Sequence, residues 1–182
     1  MKGIIILGFP KCGTTSLMPY LAKKYKLPVA RGGGFYTGDS EPVVQRREWS
    51  YLPFEEHLKR FKYEFGDPKD YHIAFITRDP IERCWSGYEA WRHYIPFSYE
   101  EYLNITNPDD LKGLKYLGEV NPIKQVDYWT WIKPWMEKYG SKVIEVYSLE
   151  GLVDDPEFPH LNSLKKSNIP HKYIELTKKL LV

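Results

Sequence analysis

Apolar and polar positions fall into two kinds of block along the chain. Ile4-Ile5-Ile6-Leu7 is an unbroken apolar run, the pattern of a strand buried on both faces, and it predicts a strand over 4–7. Leu17, Tyr20 and Leu21 recur at helical spacing and predict a helix over Thr14–Tyr25. Residues 27–30 read as a short second strand, and 31–39, with Gly32, Gly33, Gly34 and Gly38, as an irregular loop. Phe54, Leu58, Phe61 and Phe65 share one helical face, so a helix is expected over Phe54–Phe65. Another buried strand follows at 73–77.

The later elements carry clear boundary signals. Asp79-Pro80 with Glu82, and Ser98 with Glu101, have the form of helix starts with capping boxes. Asn121-Pro122 reads as the opening of a long helix through Trp129, Ile132 and Met136 to about Tyr139, closed by Gly140. A strand over 142–147 and a terminal helix over 174–181 complete the pattern. Strands alternating with helices predict an α/β fold of three layers, a mainly parallel sheet with helices on both faces. Ligands of such sheets bind at the carboxyl ends of the strands.

Composition narrows the class. With 182 residues, 42% of them hydrophobic, the chain suits a single compact domain over 1–182. A net charge of +2 is too small for a typical nucleic-acid binder, and 16% aromatic residues are too many for a disordered chain. No apolar run approaches the ~20 residues of a membrane helix. The N-terminal run is too short for a signal-peptide core, and Cys12 and Cys84 are too few for a disulfide framework. The expectation is a soluble cytoplasmic protein with no nucleic-acid or membrane partner.

The first strand runs into Gly8-Phe9-Pro10-Lys11-Cys12-Gly13-Thr14-Thr15-Ser16-Leu17. Two glycines five apart, then hydroxyls, then a helix form a phosphate cradle, in which backbone N–H groups and the helix dipole face an anion. The nucleotide triphosphatase pattern needs a lysine directly after the second glycine. Thr14 stands there, and Lys11 lies two residues before Gly13. After the next buried strand comes Arg78-Asp79-Pro80-Ile81-Glu82-Arg83-Cys84-Trp85-Ser86-Gly87-Tyr88. Arg78 is at a strand end, and Arg83 and Ser86 are three apart on one helix face, residue types that suit a second phosphate.

Pro10 to Leu17 resembles the 5′-phosphosulfate loop P-K-x-G-T-T-x-L of the sulfotransferase superfamily, and Arg78 to Tyr88 resembles its 3′-phosphate motif R-x-P-x-x-R-x-x-S-x-Y. Residues 112–148 are similar to the family's Gly, Trp-containing helix and strand. Val146 to Leu152 with Asp155-Pro156 resembles its strand-end signature, with Ser148 in the usual glutamate place. The resemblance implies a sulfotransferase architecture akin to the P-loop triphosphatases. It implies 3′-phosphoadenylyl sulfate (PAPS) as donor, its 3′,5′-bisphosphate PAP as product, and no metal. Lys11 would contact the bridging oxygen, and Gly13, Thr14 and Thr15 would hold the 5′-phosphate, with Cys12 and Ser16 counted among the donor-binding residues. Arg78 and Ser86 would hold the 3′-phosphate.

Relatives place a catalytic base in a Lys-Glu-x-x-Phe-Phe stretch, or use a histidine. The nearest stretch here is Arg31 to Tyr36, with Gly32 in the glutamate place. Asp39 and Glu41 come first as candidates and His93 next, with Glu48 also near the loop. The family's basic closing loop has no evident counterpart; Lys165-Lys166 and Lys178-Lys179 are the substitutes offered. Trp49, Tyr51, Trp85, Trp91, Tyr94, Trp129, Trp131 and Trp135 offer stacking surfaces or core packing, and Arg46-Arg47 is a cation pair that a polyanionic sugar would favour. The expected acceptor is an unidentified hydroxyl or amine compound, a carbohydrate or small molecule. The alternatives are a P-loop nucleotide kinase and a degenerate protein that binds nucleotide without catalysis.

Overall fold

The computed structural model describes residues 1–30, 42–47, 52–94, 97–105, 123, 126–159 and 168–181. In chain order the elements are β1 (Gly3–Leu7), α1 (Thr14–Tyr25), β2 (Val43–Arg47), α2 (Phe54–Phe65), a 3-10 turn (Pro68–Asp70), β3 (His72–Thr77), α3 (Pro80–Trp91), α4 (Tyr99–Leu103), α5 (Tyr128–Tyr139), β4 (Ile144–Ser148), α6 (Leu149–Leu152) and α7 (His171–Leu180). They divide into two compact units, Met1–Arg78 with Trp129–Ser163, and Asp79–Tyr128 with Leu164–Val182.

The first unit is built on a four-stranded sheet of order β2-β1-β3-β4. Every pairing is parallel: Ile6 lies beside Arg46 and Ala74, and Thr77 beside Ser148. The α/β class and the parallel sheet flanked by helices are as the pattern predicts. β1 is central, and Ile4, Ile5 and Ile6 are fully buried on both of its faces. On one face Phe75 of β3 meets Trp135 of α5, 6.4 Å between ring centroids. On the other, Ile76 lies against the turn that starts α1. Trp135 also gathers Phe54, His57 and Phe61 of α2 at 5.5, 5.3 and 5.7 Å.

Two expectations require correction. The second strand is not 27–30 but Val43–Arg47. Val29 forms a single bridge to Val44. Its neighbour Pro28 has no N–H to donate and accepts from Val44 through its carbonyl at 2.8 Å, so the bridge does not extend into a strand. The expected long helix is not continuous: Ile123 is helical, Val126 and Asp127 are not, and α5 begins at Tyr128, directly after Asp127, a residue type favoured just before a helix. Asn121 and Pro122 themselves lie outside the described residues. Gly140 does end α5, at φ 72°.

The second unit packs α3, α4 and α7 around Tyr99. Its ring meets Trp85, Tyr88 and Tyr173 at 5.2, 5.2 and 4.9 Å, and its hydroxyl pairs with that of Thr177 at 2.9 Å. Asp79 caps α3 by accepting from the Ile81 and Glu82 N–H groups. Ser98 and Glu101 form the expected capping box on α4.

His57 is buried in the first unit, and loss of water around the ring, with Arg60 nearby, depresses its pKa from 6.5 to about 4. The folded state therefore holds His57 neutral, while the unfolded chain takes up a proton as pH falls through 6.5. Stability is full above that pH and is lost progressively down to about 4. Denaturant titrations are expected to show a loss of about 2 kcal/mol from this group between pH 7 and pH 5. His57→Leu should flatten that part of the pH dependence.

Candidate functional site

The turn between β1 and α1 leaves almost no room for side chains. A methyl group at Gly8 would stand 2.1 Å from Cγ2 of Thr14. Gly13 sits at φ 94°, where a side chain is strained, and a methyl there would lie 2.8 Å from Leu149 Cδ1. Lys11 adopts φ 66°, a left-handed conformation that a non-glycine residue enters at a cost. The Gly13 carbonyl accepts from Ser16 and Leu17 at 3.0 Å each and so starts α1. Gly13 offers no capping side chain, and the first turn of α1 has no acidic residue. The positive end of the helix dipole is thus left facing the loop, an arrangement that attracts an anion.

The predicted loop residues differ in exposure. Cys12 is fully buried, with its N–H turned to the Phe9 carbonyl at 3.3 Å. Thr14 and Ser16 are buried, whereas Lys11, Gly13 and Thr15 are half-buried. Among the described residues the Lys11 ammonium forms no ion pair.

The chain crosses from β1 to β2 on one side, and β3 lies on the other. The loop after β1 therefore stands at the point where strand order reverses, the usual ligand position in open parallel sheets. Arg78, one residue beyond β3, reaches across and donates from Nη1 to the Lys11 carbonyl at 3.2 Å. Two residues singled out from separate motifs are thereby brought together.

Ser86 is half-buried on α3, and Arg83, one turn earlier, is fully buried. His93 is exposed in the turn after α3. Asp39, Glu41, Glu48, Trp49, Tyr51, Lys165 and Lys166 lie outside the described residues. Lys178 is exposed and pairs with Glu175 at 3.1 Å, a solvated helix face. Ser148, the departure from the family's glutamate, accepts from the Gly151 N–H and caps α6. Trp135 is core, Trp85 packs in the second unit, and Trp129 is exposed.

One residue of the loop's surroundings was not assigned to it from the sequence. Arg46 on β2 donates from Nη1 to Thr15 Oγ1 at 2.7 Å and approaches Thr14 Oγ1 at 3.4 Å. Its neighbour Arg47 is buried, pairs with Glu64 at 3.0 Å and lies over the Phe65 ring at 5.1 Å. The two arginines are thus not a joint surface for a polyanion. Only their place in β2, in register with Ile6 and Leu7, reveals the difference.

No family model matches the chain. A sulfotransferase from Alicyclobacillus acidocaldarius superposes with a TM-score of 0.60 at 20% identity, over 86% of this chain and 76% of that one. The likeness is one of fold. A Methanocaldococcus jannaschii protein described as an uncharacterised glycosyltransferase is 23% identical over 133 residues. That match takes in 70% of this chain, which spans only 33% of the archaeal protein. Among the described residues no cluster of His, Cys, Asp and Glu has metal-binding form, and no helix is long and apolar enough to cross a membrane.

The sterics of the turn give a direct test. Gly8→Ala must push the Thr14 methyl away and is expected to cost about 1–3 kcal/mol of stability. Gly13→Ala is expected to cost about 1–2 kcal/mol in backbone strain alone. Urea unfolding of both variants checks these values, and stabilities equal to wild type would contradict the turn as described.

Proposed function

We propose that the protein is a sulfotransferase that moves a sulfuryl group from 3′-phosphoadenylyl sulfate to a hydroxyl or amine of a carbohydrate or small-molecule acceptor, with PAP as product. The observation that carries this reading is the Lys11 loop at the head of α1, tied to Arg78 through the Lys11 carbonyl. The fold likeness to a bacterial sulfotransferase supports it. The resemblance of the stretches around Lys11 and Arg78 to the sulfotransferase motifs implies that the first takes the 5′-phosphosulfate and that Arg78 and Ser86 take the 3′-phosphate. A nucleotide kinase is disfavoured because Thr14 stands where its lysine is required. The donor scheme calls for no metal.

In sulfuryl transfer, negative charge builds on the oxygen that bridges phosphorus and sulfur as that bond breaks. Lys11 is given the task of stabilising that oxygen, while the loop N–H groups and the Thr15 hydroxyl hold the 5′-phosphate in place. The acceptor oxygen or nitrogen attacks from the opposite side and gives its proton to a base.

The sequence that follows Arg47 changes the choice of base. β2 is described as far as Arg47, and Arg47-Glu48-Trp49-Ser50-Tyr51-Leu52 follows the Lys-Glu-x-x-Phe-Phe spacing, with arginine for lysine, tyrosine for the first phenylalanine and leucine for the second. On that sequence spacing Glu48 ranks ahead of Asp39, Glu41 and His93 in this proposal.

Radiolabelled donor incubated with pooled sugar, phenol, lipid and peptide acceptors tests the activity itself. Lys11→Ala is expected to lower turnover by about 10²–10³. Arg78→Ala should mainly weaken donor binding. Turnover near wild type in Lys11→Ala, or magnesium-dependent ATP consumption in place of sulfation, would overturn the reading.

A second measurement concerns the base. Glu48→Gln is expected to abolish the acid limb of the pH–rate profile along with most activity. Alanine at Asp39, Glu41 or His93 should leave that limb in place, and its loss in one of those variants would move the role there.

A further inference from the structure

We propose that Arg46 is a positioning residue for the phosphate loop, orienting the Thr15 hydroxyl so that its proton faces the donor's 5′-phosphate. This rests on the donor reading above. The argument starts from hydrogen-bond inventory. A threonine hydroxyl has one proton to donate and two lone pairs, whereas a guanidinium only donates. The 2.7 Å contact from Arg46 Nη1 therefore occupies a lone pair of Thr15 Oγ1. Among the described residues the Thr15 proton has no acceptor, and the half-buried side chain stands in the first turn of α1. An anion seated on that turn supplies the missing acceptor. A charged donor on the far lone pair also polarises the hydroxyl and strengthens the bond it gives.

The position of Thr15 adds to this. It is the residue two places after the second glycine, the place at which a nucleotide triphosphatase puts a hydroxyl on Mg²⁺. In this chain a guanidinium contacts that hydroxyl. Arg46 can reach it because β2 lies parallel to β1 with Arg46 level with Ile6, close to the strand end from which the loop departs. Strand alternation turns Arg47 to the opposite face, toward Glu64 of α2. A fixed guanidinium thus takes up a role that an exchangeable ion fills in the related pattern.

Calorimetric titration with PAP and, separately, with inorganic pyrophosphate tests the proposal as a double-mutant cycle. Arg46→Met should weaken binding about 10- to 100-fold in the wild-type background and in Thr15→Ser, which keeps the hydroxyl. In Thr15→Ala the same change should cost less than about threefold, because the group Arg46 acts through is gone. Arg46→Lys should recover part of the loss. Thermal melts report whether each variant folds; if Arg46→Met does not, Arg46→Lys on the Thr15→Ser and Thr15→Ala backgrounds carries the same comparison.

An equal loss with and without the hydroxyl, or no loss at all, overturns the proposal. Wild-type protein that binds pyrophosphate but not PAP overturns the donor reading while the Arg46 cycle is still read on pyrophosphate. Binding of neither overturns both.

Discussion

Everything at the candidate site depends on a steric constraint at Gly8 and Gly13. β1 is buried on both faces to its last residue, so the chain must leave the sheet abruptly and start α1 directly above it. At Gly8 the space a Cβ would need is filled by Thr14, and at Gly13 the backbone turns left-handed against Leu149. These two close approaches set the helix start above the strand end. The loop's backbone N–H groups, the helix dipole and Lys11 then share one small region.

The parts of the fold that were legible in the sequence are those whose signals are local. α1 and α2 carry their apolar spacing within one segment, and both span the residues that the spacing marks. The Ser98–Glu101 box is complete within four residues. β2 was not legible for the opposite reason. Val43-Val44-Gln45-Arg46-Arg47 has only two apolar residues, yet Gln45 and Arg47 are buried as well, because neighbours distant in sequence cover them. Nothing within five residues announces that Glu64 will neutralise Arg47.

The site divides in the same way. Lys11 and Arg78 sit in patterns whose spacing carries their chemistry, and they meet as the order of strands requires. Arg46 has no such pattern around it. Its relation to Thr15 spans thirty-one positions and exists only once β2 is registered against β1. Adjacent arginines in a sequence look equivalent; on a strand they point to opposite faces and meet different partners. One closes an ion pair beside α2 and the other serves the loop.

That division has an electrostatic consequence. Two guanidiniums in one hydrated patch would repel and be screened, giving a diffuse positive surface with little geometric preference. Arg47 is turned to Glu64, while Arg46 directs Nη1 at the Thr15 hydroxyl. Arg78 is held likewise, its guanidinium bonded to the Lys11 carbonyl rather than spread over solvent. Lys11 keeps its ammonium out of ion pairs among the described residues. A site built this way confronts an anion with donors already fixed in direction, so little reorganisation is needed when charge develops. The fixed directions cost conformational freedom during folding, and the buried β1–β3 pairing beneath them supplies the apolar burial that offsets it.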